Sequence, residues 1–413
     1  MKDTLTKFIH KIGKEHEFRI FLDMIHNTPR YAVFKLSGQS IDYHLDHLAE
    51  NIAFLNQLEI YPVIVHGAGS TLDERMPDSK KIDGLRVTGK YDIHVIKEVF
   101  DSISSDLEKM VNSYGGRACR VSDVFKCSQL EKYGLVGSVE AVNLESIMDI
   151  VDSGATPIIS PLGSGGGSYL NINADTAAKE LVKAIRPKKW VLVTEAGGVL
   201  DDEGMIVPVL NTCSPDHYHF LDGGMLYKVN ELVDFVRSNP YCEVAVTSAE
   251  NMLKEMFTIK GSGTLIKHHE IVYEDDMSKM DIQRISSVVS SAFSRNLVKG
   301  YFSDLKSAFY EKDYGGVALL KEIDGIPYLD KFAVAKHLQG TGLGESIWTE
   351  MINKYPKLIW RAKTGNPCNS FYHDQCHGMK KSDGWNFYYI NLSDDEIIPC
   401  YEKVISKKET LAG

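Results

Sequence analysis

The sequence lacks any paired-cysteine spacing: its seven cysteines (Cys119, Cys127, Cys213, Cys242, Cys368, Cys376 and Cys400) are odd in number, scattered, and never arranged as C-x-x-C. A disulfide framework and a cysteine-built zinc site are therefore not expected. It also lacks any run near the ~18 consecutive apolar residues of a membrane helix. No stripe of lysine and arginine gathers anywhere, and 46 basic against 56 acidic residues give a net charge of −10, which argues against nucleic acid as a partner. The opening MKDTLTKFIHKIGKEHEFRIF mixes acids with bases, unlike a transit peptide, so a cytoplasmic location is expected. No G-x-x-x-x-G-K-[ST] occurs, which excludes a P-loop as a phosphate cradle. What is present is ordinary: 413 residues, 43% hydrophobic and 25% charged, the composition of a folded chain of two domains.

Periodicity gives the organisation. Leu5, Phe8, Ile9, Ile12, Phe18, Phe21, Leu22 and Ile25 predict one or two amphipathic helices ahead of the core. YAVFKLSG (31–38) predicts a buried strand ending in a glycine turn, followed by a helix to about Leu58 and a second strand, YPVIVHGAGS (61–70), also ending in glycines. The alternation recurs with strands in 154–163, 188–201 and 241–248 and helices over 171–185 and 223–238. This is the pattern of a mainly parallel sheet covered on both faces, with ligands beyond the carboxyl ends of the strands. Around 260–281 the pattern stops and charge rises, which divides the chain into domains 1–262 and 263–413. Beyond lie a helix near 281–298, strands at 315–323 and 327–335, a glycine turn feeding a helix (339–355), and strands at 357–363 and 384–392.

Two glycine turns, Lys35-Leu-Ser-Gly38 and His66-Gly-Ala-Gly69, follow adjacent strands, and their backbone N–H groups suit a terminal phosphate. Phosphoryl transfer asks for cations around the equatorial oxygens, a demand Lys35 and Lys228 meet. Any α/β protein carries glycines at such turns, so the order of the motifs matters more than each alone. KLSG (35–38), HGAG (66–69), GLRVT (84–88), NINAD (171–175), TEAGGVLDDEG (194–204) and GGMLYK (223–228) resemble, in order, the amino-acid kinase family and within it the N-acetylglutamate kinases. The resemblance implies that Lys35 and Lys228 stabilise the transferring phosphoryl group and that Asp175, as a buried carboxylate, holds the two lysines. It gives the acylated amino acid to Gly67, Ala68, Arg86 and Asn171, and ATP with Mg2+ to Ser37, Gly38, Gly197 and Gly198. Asp175 also reads as a helix cap, a role for which Asn173 is equally placed. Ser37 departs from the family's glycine pair, and the turn at 66–69 from its run of three glycines.

Gln339-Gly340-Thr341-Gly342-Leu343-Gly344 opens a helix and resembles the Q-x-x-G-x-G turn of the GNAT acetyltransferases, where successive N–H groups take a coenzyme A pyrophosphate. A dinucleotide turn fits less well, since no simple βαβ entry precedes it. YLDKFAV (328–334), LIWRAKTGNPCNSFY (358–372) and DGWNFYY (383–389) resemble the acetyltransferase domain fused to kinase-like domains in N-acetylglutamate synthases and synthase/kinases. That resemblance implies glutamate carboxylates on Lys331 and Arg361, substrate orientation by Asn366, and proton donation to the leaving thiolate by Tyr372. Their bland readings are a snorkelling strand lysine and an aromatic core residue.

The combined expectation is an α/β chain, an amino-acid kinase fold followed by a GNAT fold, that makes N-acetylglutamate from glutamate and acetyl-CoA and then phosphorylates it with ATP. Retention of one activity alone, with the other domain regulatory, is an alternative, as is an arginine-sensing scaffold. The resemblance further implies a homo-oligomer, a tetramer by analogy, with arginine as effector near Lys260-Gly261-Ser262-Gly263 and the N-terminal helix. No protein residue is assigned to a metal.

Overall fold

The computed structural model describes residues 32–213, 223–239, 242–257, 262–339 and 341–412, with the backbone alone at 223–228 and 337. The N-terminal lead-in over 5–25 and the residues Lys260, Gly261 and Gly340 lie outside the described residues, as does the Lys228 side chain. The chain forms two compact units, Met1–Lys267 and His268–Gly413. The first takes in Thr264–Lys267, because that strand pairs antiparallel with Glu243–Thr247 and parallel with Val209–Asn211.

The first unit is built on an eight-stranded sheet. From one edge the strands are Val209–Asn211, Thr264–Lys267, Glu243–Thr247, Lys189–Val193, Ala32–Leu36, Val63–His66, Thr156–Ile159 and Ala118–Val121. All neighbours run parallel except the one antiparallel pair. The central strands are apolar throughout because alternate residues point into two separate cores. Phe34, Leu36, Ile64, Val191 and Val193 meet the helices Gly38–Gln57, Asp92–Ser113 and Met252–Phe257. Val33, Val63, Val65, Trp190 and Leu192 meet Ala174–Ile185 and Gly223–Ser238. A four-stranded sheet (Ser168–Asn171, Leu162–Gly165, Phe125–Gln129, Gly137–Val142) and a hairpin (Lys81–Ile82, Leu85–Arg86) complete the unit.

The second unit holds a seven-stranded sheet: Ile271–Glu274, Ser307–Glu311, Gly316–Ile323, Ile326–Val334, Leu358–Lys363, Trp385–Ile390 and Gly378–Ser382. Every pair is antiparallel but one. Ile326–Val334 and Leu358–Lys363 run parallel, and they pair only at Tyr328↔Ile359 and Leu329↔Trp360. Past those two registers the strands go on without pairing, which leaves a cleft in the middle of the sheet. A β-bulge facing Leu319 and Leu320 makes Asp330 an extra residue in its strand and turns Asp330 and Lys331 into buried positions. Helices Leu343–Lys354 and Ile282–Phe293 cover opposite faces. Among the described residues no helix is long and apolar enough to cross a membrane.

Candidate active sites

In the first unit the two glycine turns touch. Ser37 Oγ accepts from Ser40 N at 3.0 Å and so caps the Gly38–Gln57 helix, which gives the serine at this turn a physical reason. A Cβ on Gly38 would lie 2.5 Å from Gly69 N, so only glycine lets the backbones meet. Beside them, on the Ala32–Leu36 strand, Lys35 places Nζ 2.8 Å from Asp175 Oδ1. Asn173 supplies the cap of the Ala174–Ile185 helix, accepting from Asp175 N at 2.9 Å and Thr176 N at 3.2 Å. The cap reading of Asp175 therefore falls, and its carboxylate is available to Lys35. The expectation that it is buried is corrected: the Asp175 side chain is 43% exposed against 11% for Lys35, because it opens a helix at the sheet's rim.

Arg86 stands on the hairpin and is buried, with Nη2 2.5 Å from Asp73 Oδ1 and Nη1 donating to Ser79 Oγ. Hydrogen bonds from Lys81 and Arg86 hold the Asp73 carboxyl below the usual carboxylate range. Thr88 ties Arg86 to Asn171: its Oγ1 donates to Arg86 O at 2.9 Å and accepts from Asn171 Nδ2 at 3.3 Å. Gly197 has φ +70°, and a Cβ on Gly198 would strike Ile206 at 2.7 Å, so these glycines shape the 194–204 loop. A Cβ on Gly263 would lie 1.9 Å from Val246 O, which explains that glycine by close packing against the sheet. Ser262 N donates to Glu255 Oε2 at 3.3 Å.

In the second unit, Gly342 starts the Leu343–Lys354 helix at φ +77°, and Gln339 Nε2 donates to Val334 O at 3.1 Å. A Cβ on Gly344 would meet Phe332 and Val334 at an ordinary 3.6 Å, so packing alone does not demand glycine there. Tyr372, on the short helix Asn369–Gln375, is buried among Trp348, Trp360 and Tyr388, with ring centroids 6.0, 5.7 and 5.7 Å away. Burial pushes its phenol well above the ordinary tyrosine value, so it is a protonated donor at neutral pH. Asn366 Oδ1 accepts from Cys368 N at 2.8 Å and shapes the turn into that helix.

The residues expected to bind carboxylates are engaged by the chain's own C-terminal segment. Lys331 Nζ lies 2.8 Å from Asp330 Oδ2 and donates to Thr410 Oγ1. Burial raises the Asp330 carboxyl, but the Lys331 charge and the hydrogen bonds from Lys331, Tyr301 and Thr410 together outweigh it and hold the group below its usual value. Arg361 Nη1 donates to Val404 O at 3.0 Å and Ile405 O at 3.1 Å, closing the end of the Asp394–Ser406 helix, and Nη2 to Lys408 O at 3.2 Å. Glu409 accepts from Lys363 at 2.8 Å and Arg295 at 3.1 Å. Sequence reasoning missed Lys363 and Arg295. The signal for Lys363 was its place two residues after Arg361 on one strand, hence the same face, and both side chains lie over the Trp385 ring.

The family model for the amino acid kinase family matches residues 30–248. An acetylglutamate kinase of Xanthomonas campestris pv. campestris is 33% identical over 94% of this chain and 96% of its own. The chain belongs to the amino acid kinase family. The model for the N-acetyltransferase of N-acetylglutamate synthase matches residues 272–407, so an acetyltransferase domain follows the kinase-family domain. Two solved structures share the fold at 18–19% identity: an N-acetylglutamate synthase from Neisseria gonorrhoeae with coenzyme A and N-acetylglutamate (TM-score 0.62, 95% of this chain, 96% of that one), and the same enzyme with coenzyme A and L-arginine (0.61, 97% and 98%).

In the kinase-family domain His66 is a further buried group of the glycine turn, with Nε2 2.6 Å from Ser104 Oγ. Burial lowers its pKa to about 4, against a smaller opposing effect of the Gly67 carbonyl. A folded pKa below the unfolded value makes His66 favour the neutral state, so its contribution is complete above pH ~6.5 and is lost as pH falls toward 4. The expected result is a loss on the order of 3 kcal/mol across that window. Urea midpoints of wild type and His66→Gln between pH 7.5 and 4.5 check it. Parallel slopes in the two proteins would refute the assignment.

Proposed function

We propose that the second unit acetylates L-glutamate with acetyl-CoA and that the first unit phosphorylates the resulting N-acetylglutamate with Mg-ATP, two successive steps of arginine biosynthesis. The Lys35–Asp175 pair beside two touching glycine turns carries the kinase half. A cation near a strand's carboxyl end, held by a carboxylate at a helix start and beside backbone N–H groups, suits a transferring phosphoryl group. In this reading Lys228 is the second cation. Ser37, Gly38, Gly197 and Gly198 serve the nucleotide, and Gly67, Ala68, Arg86 and Asn171 serve the N-acetyl amino acid.

The acyl half rests on the unpaired stretch between Ile326–Val334 and Leu358–Lys363 and on the Gly342 helix start beside it. The cleft admits the thioester arm and the turn takes the pyrophosphate, while Tyr372 protonates the departing thiolate. Mass spectrometry of the products from glutamate, acetyl-CoA and Mg-ATP tests the whole reading. N-acetylglutamate and ADP are both expected; absence of either removes that half. The same chemistry makes arginine the natural effector, and the L-arginine complex of the Neisseria gonorrhoeae synthase supports it. Calorimetry with millimolar arginine should register binding, and a flat titration overturns the effector role. A homo-oligomeric assembly belongs to the same proposal.

Glu409 holds cations that suit the incoming glutamate. Glu409→Ala should therefore lower the KM for glutamate about two- to fivefold, the size of a partly exposed ion pair, with kcat little changed. An unchanged KM would place the substrate carboxylates elsewhere.

A further inference from the structure

His44 and His47 stand one turn apart on the Gly38–Gln57 helix, where residues i and i+3 share a face. Helical geometry is interrupted at His44 (φ −134°, ψ 24°), although neither glycine nor proline lies between Ile41 and Leu48. A kink without those residues points to a side-chain cause, and both ring nitrogens of His44 are engaged. Nε2 lies 2.7 Å from Glu195 Oε1, and Nδ1 lies 3.1 Å from Glu250 Oε1. One ligand atom each from His44, His47 and Glu250 falls within 4.8 Å of the others. The carboxylates come from the ends of adjacent parallel strands, since Glu195 follows Lys189–Val193 and Glu250 follows Glu243–Thr247. At those same strand ends Thr194 Oγ1 and Thr247 Oγ1 are buried without a hydrogen-bond partner.

We propose that His44, His47 and Glu250 form a binding site for a zinc-class divalent transition metal, with Glu195 orienting His44. Two imidazoles and one carboxylate are a donor set for borderline-soft ions, whereas Mg2+ and Ca2+ prefer oxygen alone. The site is therefore distinct from the Mg2+ that accompanies ATP on its phosphate oxygens. The distance from His44 Nδ1 to Glu250 Oε1 matches the edge of a tetrahedron with bonds of ~2.0–2.1 Å, which is about 3.3 Å. In the metal-bound form His44 Nε2–H donates to Glu195 Oε1, which fixes the tautomer and presents the Nδ1 lone pair to the metal, the usual second partner of a ligating histidine. His47 and Glu250 are exposed, so solvent has access to the remaining coordination positions. The inference is independent of which reaction the two units catalyse.

The test uses the full chain, freed of metal by a chelator and kept without nucleotide. Zn2+ is titrated in competition with a chromophoric chelator, and Co2+ is added separately to read the visible spectrum. One equivalent of Zn2+ per chain is expected, with affinity at least tenfold weaker in both His47→Ala and Glu250→Gln and about tenfold weaker in Glu195→Gln. Both primary variants alter exposed side chains, and their thermal unfolding without metal should match wild type. Zn2+ should raise the wild-type melting temperature and not theirs. Binding unaffected by the variants, a Co2+ spectrum with a thiolate charge-transfer band, or no binding at 100-fold excess metal would each overturn the proposal. In those cases His44 is a histidine bridging two glutamates.

Discussion

Lys35→Ala should lower ADP formation from N-acetylglutamate by about 10²–10³, the typical effect of removing one fixed group that stabilises transition-state charge. The loss is expected mainly in kcat, since the charge on the transferring group spreads onto its equatorial oxygens only as the bond breaks. Stability should change little. Lys35 is removed from beside a half-exposed carboxylate, so Asp175 is not left as a buried unpaired charge. Acyl transfer should stay within about twofold, because the residues proposed for it all belong to the other unit. A coupled ADP assay and a thiol-release assay on one preparation separate these outcomes. Full kinase activity in the variant would make Lys35–Asp175 an ordinary ion pair.

Tyr372→Phe should slow acyl transfer by about 10²–10⁴, the usual worth of a positioned general acid. The KM for acetyl-CoA should hardly move, because in the proposed function coenzyme A affinity rests on the backbone turn at Gly342 and Gly344 and the hydroxyl acts only as the thiolate leaves. The aromatic cluster of Trp348, Trp360, Phe371 and Tyr388 keeps its shape when only the oxygen is removed, so the fold should tolerate the change. ADP formation is the internal control. Unchanged turnover would leave Tyr372 with a packing role alone.

Much of the first unit is legible in the sequence because its chemistry sits where local sequence already dictates geometry. An apolar run that ends in glycine is a strand ending in a turn, and in a parallel sheet that end is where ligands go. Hence the residue pattern suffices to pair the turns at 35–38 and 66–69, and it leaves Asn173 and Asp175 as rivals for the helix cap. The cap goes to Asn173 because its side chain reaches the N–H groups of residues 175 and 176.

The second unit is less legible beyond its strands and glycine turn. Its cleft depends on two parallel strands ceasing to pair after Leu329 and Trp360, which neither strand's own pattern encodes. The strand Gly378–Ser382 and the helix Asp394–Ser406 leave weak signals, since one is mostly polar and the other carries Pro399.

By itself the sequence determined the two α/β units, their order and the positions of the glycine turns at strand ends, because hydrophobic period and glycine placement act over a few residues. Tertiary structure alone decided which charged groups meet. The pairing of Lys35 with Asp175 was already implied by family resemblance, whereas His44 finds Glu195 and Glu250, and Glu409 reaches Lys363 and Arg295 from more than 40 residues away. Side-chain charge acts across space and carries no periodicity along the chain, so these partners were fixed only when the sheets brought distant segments together.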